Sequence, residues 1–460
     1  MQLEDVFWAI LMAAGLIVLG KWVRRHWKLL HNLFLPSSII AGVIALLLGP
    51  QVLGRTGGDD FNGIFPTSVL EVWSSLPGLL ISIVFAALFL GKTLPNIGEI
   101  WQKAGPMVAH GQTMAWGQYV VGISLAWLVL VPFFDSSPLA GALIEIGFEG
   151  GHGTAAGLGD TFRELGFADG ADLALGLATV GVVVGVIMGT IIVNWAVWRG
   201  YIERPDHTPE EKDEMAEHEN RELSIDQKYK DQALEPLSFH LGLIAVSIGL
   251  GWLLLEGMVR LESSLLVPLG WPELFRHIPL FPLAMIGGVG VQLLGQKLGY
   301  GQLIDRKIIN RIAGASLDLL IVAALGALSL EAIGANVLPF LILAVAGILW
   351  NLFGFVVLAR YMFPKNWVPN GLANFGQGIG MTVIGLLLVR MSDPHNRSGA
   401  MEAFGYKQLL FEPVVGGGLF TAASLPLLYQ FGPVPVLIGV TVLMFGWFIF
   451  GLWLFKHSSD

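Results

Sequence analysis

A chain of 460 residues that is 54% hydrophobic, only 13% charged and +0.68 in mean hydropathy is far too apolar for a water-soluble protein. It contains no cysteine, which excludes disulfides, thiolate metal sites and thiol catalysis. Its formal net charge of −9 is concentrated between Arg199 and Glu235, where twelve acidic residues outnumber six basic ones, so no basic surface for nucleic acid is expected.

A bilayer core asks for ~20 mainly apolar residues per helix. In chain order, Lys21, Arg24, Arg25 and Lys28 follow the first apolar run instead of preceding it, the reverse of a cleavable signal peptide, so the first helix is expected to be retained. Crossings are expected at 6–20, 33–49, 75–91, 113–133 and 171–197. The acidic segment at 200–236 reads as a solvated cytoplasmic linker between two halves, 1–199 and 237–460. Crossings at 237–257, 279–296, 312–330, 336–360, 407–428 and 434–455 bring the total to eleven. Leu35-Pro36 and Ile278-Pro279 open the second crossing of each half.

Each half also carries a glycine-rich break, Glu149-Gly150-Gly151-His152-Gly153-Thr154 and Phe375-Gly376-Gln377-Gly378-Ile379-Gly380-Met381-Thr382. Glycine weakens a helix and permits close backbone approach, and unpaired backbone at membrane depth survives only around a protein-lined cavity. The breaks are therefore expected at the tips of two re-entrant hairpins, 138–165 and 364–394. With the N-terminus outside and neither hairpin crossing, all but Arg55, Arg163, Arg260 and Arg276 of the 26 Lys and Arg fall in cytoplasmic loops, Lys407 and the C-terminal Lys456 included. The hairpins then enter from opposite sides, as an inverted repeat requires. The fold class is an all-α polytopic membrane protein of two inverted halves.

The chemistry of the breaks suits a solute pair. A half-helix starting at Gly150, Gly151, His152, Gly153 or Thr154 aims N–H groups and a positive dipole end at an anion, while exposed carbonyls and the Thr154 hydroxyl suit Na⁺. The second break offers Asn374, Gly376, Gln377, Gly378, Gly380 and Thr382 in the same way. Asp318, inside a crossing, and Glu149 are candidate cation or proton sites, because an intramembrane carboxylate is costly unless it is used. Glu145 and Glu149 are expected to face outer water, and Glu256, Glu331 and Glu412 to meet headgroups or solvent. Glu149-x-x-His152 has the spacing of half a di-iron site, but no second Glu-x-x-His exists. Gly91-Lys92-Thr93 reads as a helix end. Gly181, Gly185 and Gly189 mark one close-packed helix face, and Trp101, Trp116, Trp271 and Trp367 fit an interfacial belt.

The segment Ile146-Gly147-Phe148-Glu149-Gly150-Gly151-His152-Gly153-Thr154-Ala155-Ala156, continued by Gly166, Ala178-Thr179, Gly181 and Gly185, resembles the glutamate:sodium symporter family. Weaker similarity runs through Leu35-Pro36, Ala41-Gly42, Ser316-Leu317, Leu338-Pro339, Gly376-x-Gly378-x-Gly380-x-Thr382 and Pro413-Val414-Val415-Gly416. The resemblance implies a multi-pass secondary transporter of the bacterial inner membrane, a homodimer, and Na⁺-coupled uptake of L-glutamate, with Na⁺ as coupling ion and no other cofactor. It carries over Gly150, Gly151, His152, Gly153 and Thr154, and Gly376, Gly378, Gly380 and Thr382, as site positions. The chain departs from the family pattern at Glu149, Asp318, Val383 and Thr421-Ala422. A carboxylate added beside an anion site opposes a dicarboxylate unless it is protonated or serves the cation. A proton-coupled carboxylate transporter and a passive channel with re-entrant loops are the alternatives, and an intramembrane enzyme using Glu149 and His152 ranks last for want of a nucleophile.

A β-branched side chain blocks backbone approach, so Gly151→Val and Gly378→Val are each expected to abolish solute transport while leaving membrane insertion intact. Normal flux through Gly151→Val would reduce the first break to packing.

Overall fold

The computed structural model describes residues 2–27, 35–55, 63–92, 97–202, 236–363 and 365–457, so nearly all of the 200–236 linker lies outside the described residues. Among the described residues there is no β-strand. That follows from long apolar runs with few places to pair backbone except within the same segment. The helices are α1 (Leu3–His26), α2 (Ser37–Leu48), α3 (Thr67–Ala86), α4 (Ile97–Leu125), α5 (Leu143–Phe148), α6 (Gly151–Gly157), α7 (Gly159–Glu164) and α8 (Gly170–Trp198). After the linker come α9 (Pro236–Leu261), α10 (Leu280–Lys297), α11 (Arg306–Gly326), α12 (Leu330–Ala335), α13 (Val337–Phe353), α14 (Trp367–Ser392), α15 (Ala400–Phe411), α16 (Leu419–Phe431) and α17 (Pro433–His457). Proline sits at the N-cap of α2, α3 and α10, and Asp305 caps α11 by accepting from the Lys307 N–H at 2.7 Å.

Ten helical stretches among the described residues are long and apolar enough to cross a membrane, one of them Trp367–Ser392, which folds back on itself, and the chain is an all-α polytopic membrane protein. Two expectations need correction. The crossing placed at 407–428 is instead α15 and α16, parted at 412–418, where Gly416 and Gly417 take φ of +71° and +99°. Gln292, Gln296 and Lys297 dilute the last turns of α10, which forms as expected but is not among the ten.

One small bundle gathers α1, α2, α3 and α11 around Trp73, whose indole N–H donates to the Ala9 carbonyl at 2.9 Å. α9 and α10 extend it through Ile244 and Ala284 against Ala86. A second bundle joins α4, the end of α13, α14 and α15 through Met107, Ala359 and Phe404. The large central core between them holds α5 to α8 and both breaks.

Both breaks reverse the chain. A continuous helix would set Gly376 and Gly385 about 13 Å apart at 1.5 Å per residue, yet a Cβ on Gly376 would come 2.7 Å from the Gly385 Cα. The turn is at Gly380 and Met381, whose backbone leaves the helical region, with Met381 at φ +71°. The arms 367–379 and 382–392 are each too short to span ~20 residues. In the first half, Gly147 lies against Leu177 and Phe148 against Gly181, whereas Phe162 is back against Gly170, so the chain runs along α8, turns, and returns. Gly151 supplies the turn with φ +70°. The face of α8 formed by Gly181, Gly185 and Gly189 seats the second turn: Ile379 and Gly380 lie on Gly181 and Gly185, and Leu388 on Gly189.

A methyl group on Gly181 would collide with the Ile379 carbonyl, while one on Gly249 of α9 meets nothing within 4 Å. Gly181→Ala should therefore cost about 1–3 kcal/mol, read as a lowered Tm and lost transport. Gly249→Ala should change neither.

Candidate functional site

The two turns meet. A Cβ on Gly151 would fall 2.5 Å from the Met381 Sδ, so only a glycine lets the tips touch. Met381 holds φ +71° and ψ 169°, a region nearly reserved for glycine, so backbone strain is stored at this contact.

Polar side chains from both halves tie together the residues flanking that contact. The Gln118 amide of α4 donates to the Gly378 carbonyl at 2.6 Å and to Glu149 Oε2 at 3.3 Å. Asn351 Oδ1 lies at 3.5 Å from the same nitrogen. One residue earlier on α14, Gln377 Oε1 accepts from Lys407 Nζ and from Gln408 Nε2, each at 2.8 Å. Another turn back, Asn374 donates to the Met107 carbonyl at 3.1 Å and pairs with His110 Nδ1 at 3.0 Å. Asn370, Asn374 and Gln377 thus form a polar stripe at helical spacing. A cavity of about 440 Å³, lined in part by Met107, Lys365 and Asn370, opens beside this stripe.

Glu145 binds the first hairpin to the broken segment 412–418. Its carboxylate accepts from the Tyr119 hydroxyl at 2.5 Å, the Gly416 N–H at 2.7 Å and the Thr421 hydroxyl at 2.8 Å. Thr154 reaches the same segment, its Oγ1 packing where a Cβ on Gly417 would stand. Thr382 Oγ1 donates to Glu412 Oε1 at 3.4 Å. His152 Nε2 meets Thr179 Oγ1 at 3.0 Å, and its Nδ1 is buried without a partner, as are Gln118 Oε1, Asn374 Oδ1 and Glu412 Oε2. Buried polar atoms are nearly always paired, and four of the eight unpaired ones among the described residues lie around the two chain reversals.

Glu149, Thr154, Asn374, Gln377, Gly378 and Thr382 all lie in or beside this cluster, as do the backbone positions Gly150, Gly151, Gly153, Gly376 and Gly380. Asp318 does not. It faces Ser38 and Lys21 in the first bundle, while its neighbour Leu317 touches the hairpin at Gly153. Several environments differ from expectation. Glu145 and Glu149 are 0% and 4% exposed and face no outer water, because both lie on the buried arm against α4 and α8. Glu412 does sit at a helix end, as the C-cap of α15, but it is half-buried at the 412–418 break and not out in solvent. Lys407, counted among the loop cations, is 0% exposed. Trp116 is buried and donates to Gln112, off any interfacial belt. Gly91 ends its turn with φ +72° and donates to Gln292, as a helix end does. No cluster of three metal-ligating side chains occurs among the described residues.

A model of the sodium/glutamate symporter family matches residues 2–384, a stretch that holds both breaks and stops short of α15. The chain belongs to the sodium/glutamate symporter family. Sodium/glutamate symporters of Escherichia coli (strain K12) and Shigella flexneri are each 24% identical to it over 416 residues, covering 89% of this chain and 92% of theirs. The sodium/glutamate symporter family is one of membrane transporters, not enzymes.

Sequence reasoning did not single out His110, Gln118, Tyr119, Asn351, Lys407, Gln408 or Thr421 for this site. The signal was present for some of them. His110 and Gln118 lie about two turns apart on one helix face, and Asn351 stands alone in a long apolar run.

Glu145→Ala would strand three buried donors at about 1–3 kcal/mol each, so it should lower the Tm of the detergent-solubilised protein by several degrees. Glu145→Gln keeps one acceptor oxygen and should lower it less. Equal Tm values for all three proteins would contradict the clamp.

Proposed function

We propose that this symporter couples Na⁺ to L-glutamate or a closely related carboxylate, and that both solutes bind where the two chain reversals meet. The meeting of Gly151 with Met381, inside a polar cluster drawn from both halves, carries this reading. Family membership and the names of its relatives supply glutamate and sodium. One carboxylate of the substrate faces the amides that open α6, which no side chain caps. Hydroxyl and carbonyl oxygens of Thr154, Thr382 and the second turn face the cation.

The two reversals are re-entrant hairpins of an inverted repeat. Reciprocal packing supports this: α1 lies on α2 as α9 lies on α10, and α3 packs on α10 and α11 as α11 packs on α2 and α3. Residues 1–199 and 237–460 are the two halves, with the hairpins at 138–165 and 364–394 and the linker, at 200–236, cytoplasmic. Transport proceeds by alternating access, the hairpin-bearing helices moving against the bundle built on Trp73. The protein sits as a homodimer in the bacterial inner membrane, N-terminus outside and C-terminus cytoplasmic.

In proteoliposomes with an inward Na⁺ gradient at equal pH, labelled L-glutamate should accumulate above its external concentration. Accumulation driven only by a proton gradient would replace Na⁺ by H⁺. Flux that merely dissipates gradients would make the protein a channel.

A further inference from the structure

Lys407 is the one fully buried lysine or arginine among the described residues. Its ammonium has three donors and uses one on Gln377 Oε1 at 2.8 Å, and the same nitrogen sits over the Phe411 ring, 3.6 Å from its centre. Glu149 is almost as enclosed, and its carboxylate takes a single 3.3 Å bond from Gln118. The two charges act on each other electrostatically, yet no ion pair within 4.0 Å joins them among the described residues. They flank consecutive residues of the second turn, the lysine at Gln377 and the carboxylate beside Gly378. Glycine makes room for both. A Cβ on Gly111 would stand 2.8 Å from Lys407 Nζ, and one on Gly416 would stand 3.5 Å from Glu149 Cγ.

The other acids of the cluster are placed differently. Glu145 has three donors, and Glu412 lies under the influence of Lys92 and Arg306 as well as Lys407. Glu149 and Lys407 are left as an anion and a cation that each keep a single side-chain hydrogen bond, one from Gln118 and one to Gln377.

We propose that Glu149 and Lys407 form an exchange pair: each balances the other's charge in the free site, and on loading the substrate carboxylate takes Lys407 while the coupling cation takes Glu149. A buried charge is costly without a counter-charge. A carboxylate arriving alone satisfies Lys407 but sets a second negative charge near Glu149. A cation arriving alone satisfies Glu149 but deprives Lys407 of its balance. Only joint arrival keeps the chamber neutral, so each solute raises affinity for the other, and by linkage the effect is reciprocal. The pair also explains how a carboxylate that departs from the family pattern coexists with an anionic substrate. This inference rests on the symport reading above and adds the residues that enforce coupling.

The test is equilibrium binding of labelled L-glutamate to the full-length protein in nanodiscs, with Na⁺ varied against choline at fixed pH. In the parent, Na⁺ should raise glutamate affinity by about 5–150-fold, the usual span of coupling between sites. In Glu149→Gln, glutamate binding should persist and the Na⁺ effect should fall below about twofold on that scale. In Lys407→Gln, glutamate binding should be lost while Na⁺ binding, read with labelled Na⁺, remains. If Lys407→Gln is not monodisperse, the near-isosteric Glu149→Gln decides alone. A Glu149→Gln protein with the parent's Na⁺ response overturns the pair, as does a Lys407→Gln protein with the parent's glutamate affinity. Stimulation by acidification without Na⁺, abolished in Glu149→Gln, keeps the pair and makes the cation a proton. A parent that binds no glutamate with either cation overturns the symport reading, and the pair with it.

Discussion

Backbone that leaves its helix inside an apolar bundle must find partners or be enclosed, and in this protein that constraint is met where two chain reversals press against α8 and each other. Gly181 accepts the Ile379 carbonyl and Gly151 accepts the Met381 side chain, contacts that an added methyl group would prevent. Once the turns are held there, their neighbours fall into place. Gln118 bridges Glu149 and Gly378 across the junction, and Glu145 anchors the first hairpin to the 412–418 segment. Strain at Met381 and four unpaired buried polar atoms are tolerated around this junction.

The charges in the chamber are arranged unequally. Glu145 is saturated with donors and acts as a structural anchor. Glu149 and Lys407 are each held by a single side-chain amide and keep capacity for partners of opposite sign. Under the proposed exchange pair, that asymmetry serves an anion and a cation that arrive together. Asn370 lines the adjoining cavity, and Asn374 and Gln377, both buried, continue its polar stripe inward along α14.

The all-α membrane class and most helices were readable from apolar run length, and the positions of both breaks from glycine clustering alone. The Gly181, Gly185 and Gly189 face was readable as close packing, but what it packs against was not, because sequence spacing carries no information on the partner. Lys407 and Glu412 were misplaced for a related reason. An apolar run through 407–428 looked like one crossing with charges at its rim, whereas positive φ at Gly416 and Gly417 breaks it and turns the rim into the centre. Asp318, a sound candidate as a carboxylate within a crossing, lies apart from the cluster, between helices of the Trp73 bundle and facing Ser38 and Lys21. Residues such as Gln118 and Asn351 gain meaning only when helices distant in sequence are brought side by side.

The central claim, one solute chamber shared by both turns, is tested most directly by a cryo-EM map of the full chain with saturating L-glutamate and Na⁺. The account predicts density that contacts both 149–154 and 376–382, with a carboxylate of the ligand against Lys407. Ligand density confined to one turn, or bound elsewhere in the bundle with the Gly151 and Met381 region untouched, would contradict it.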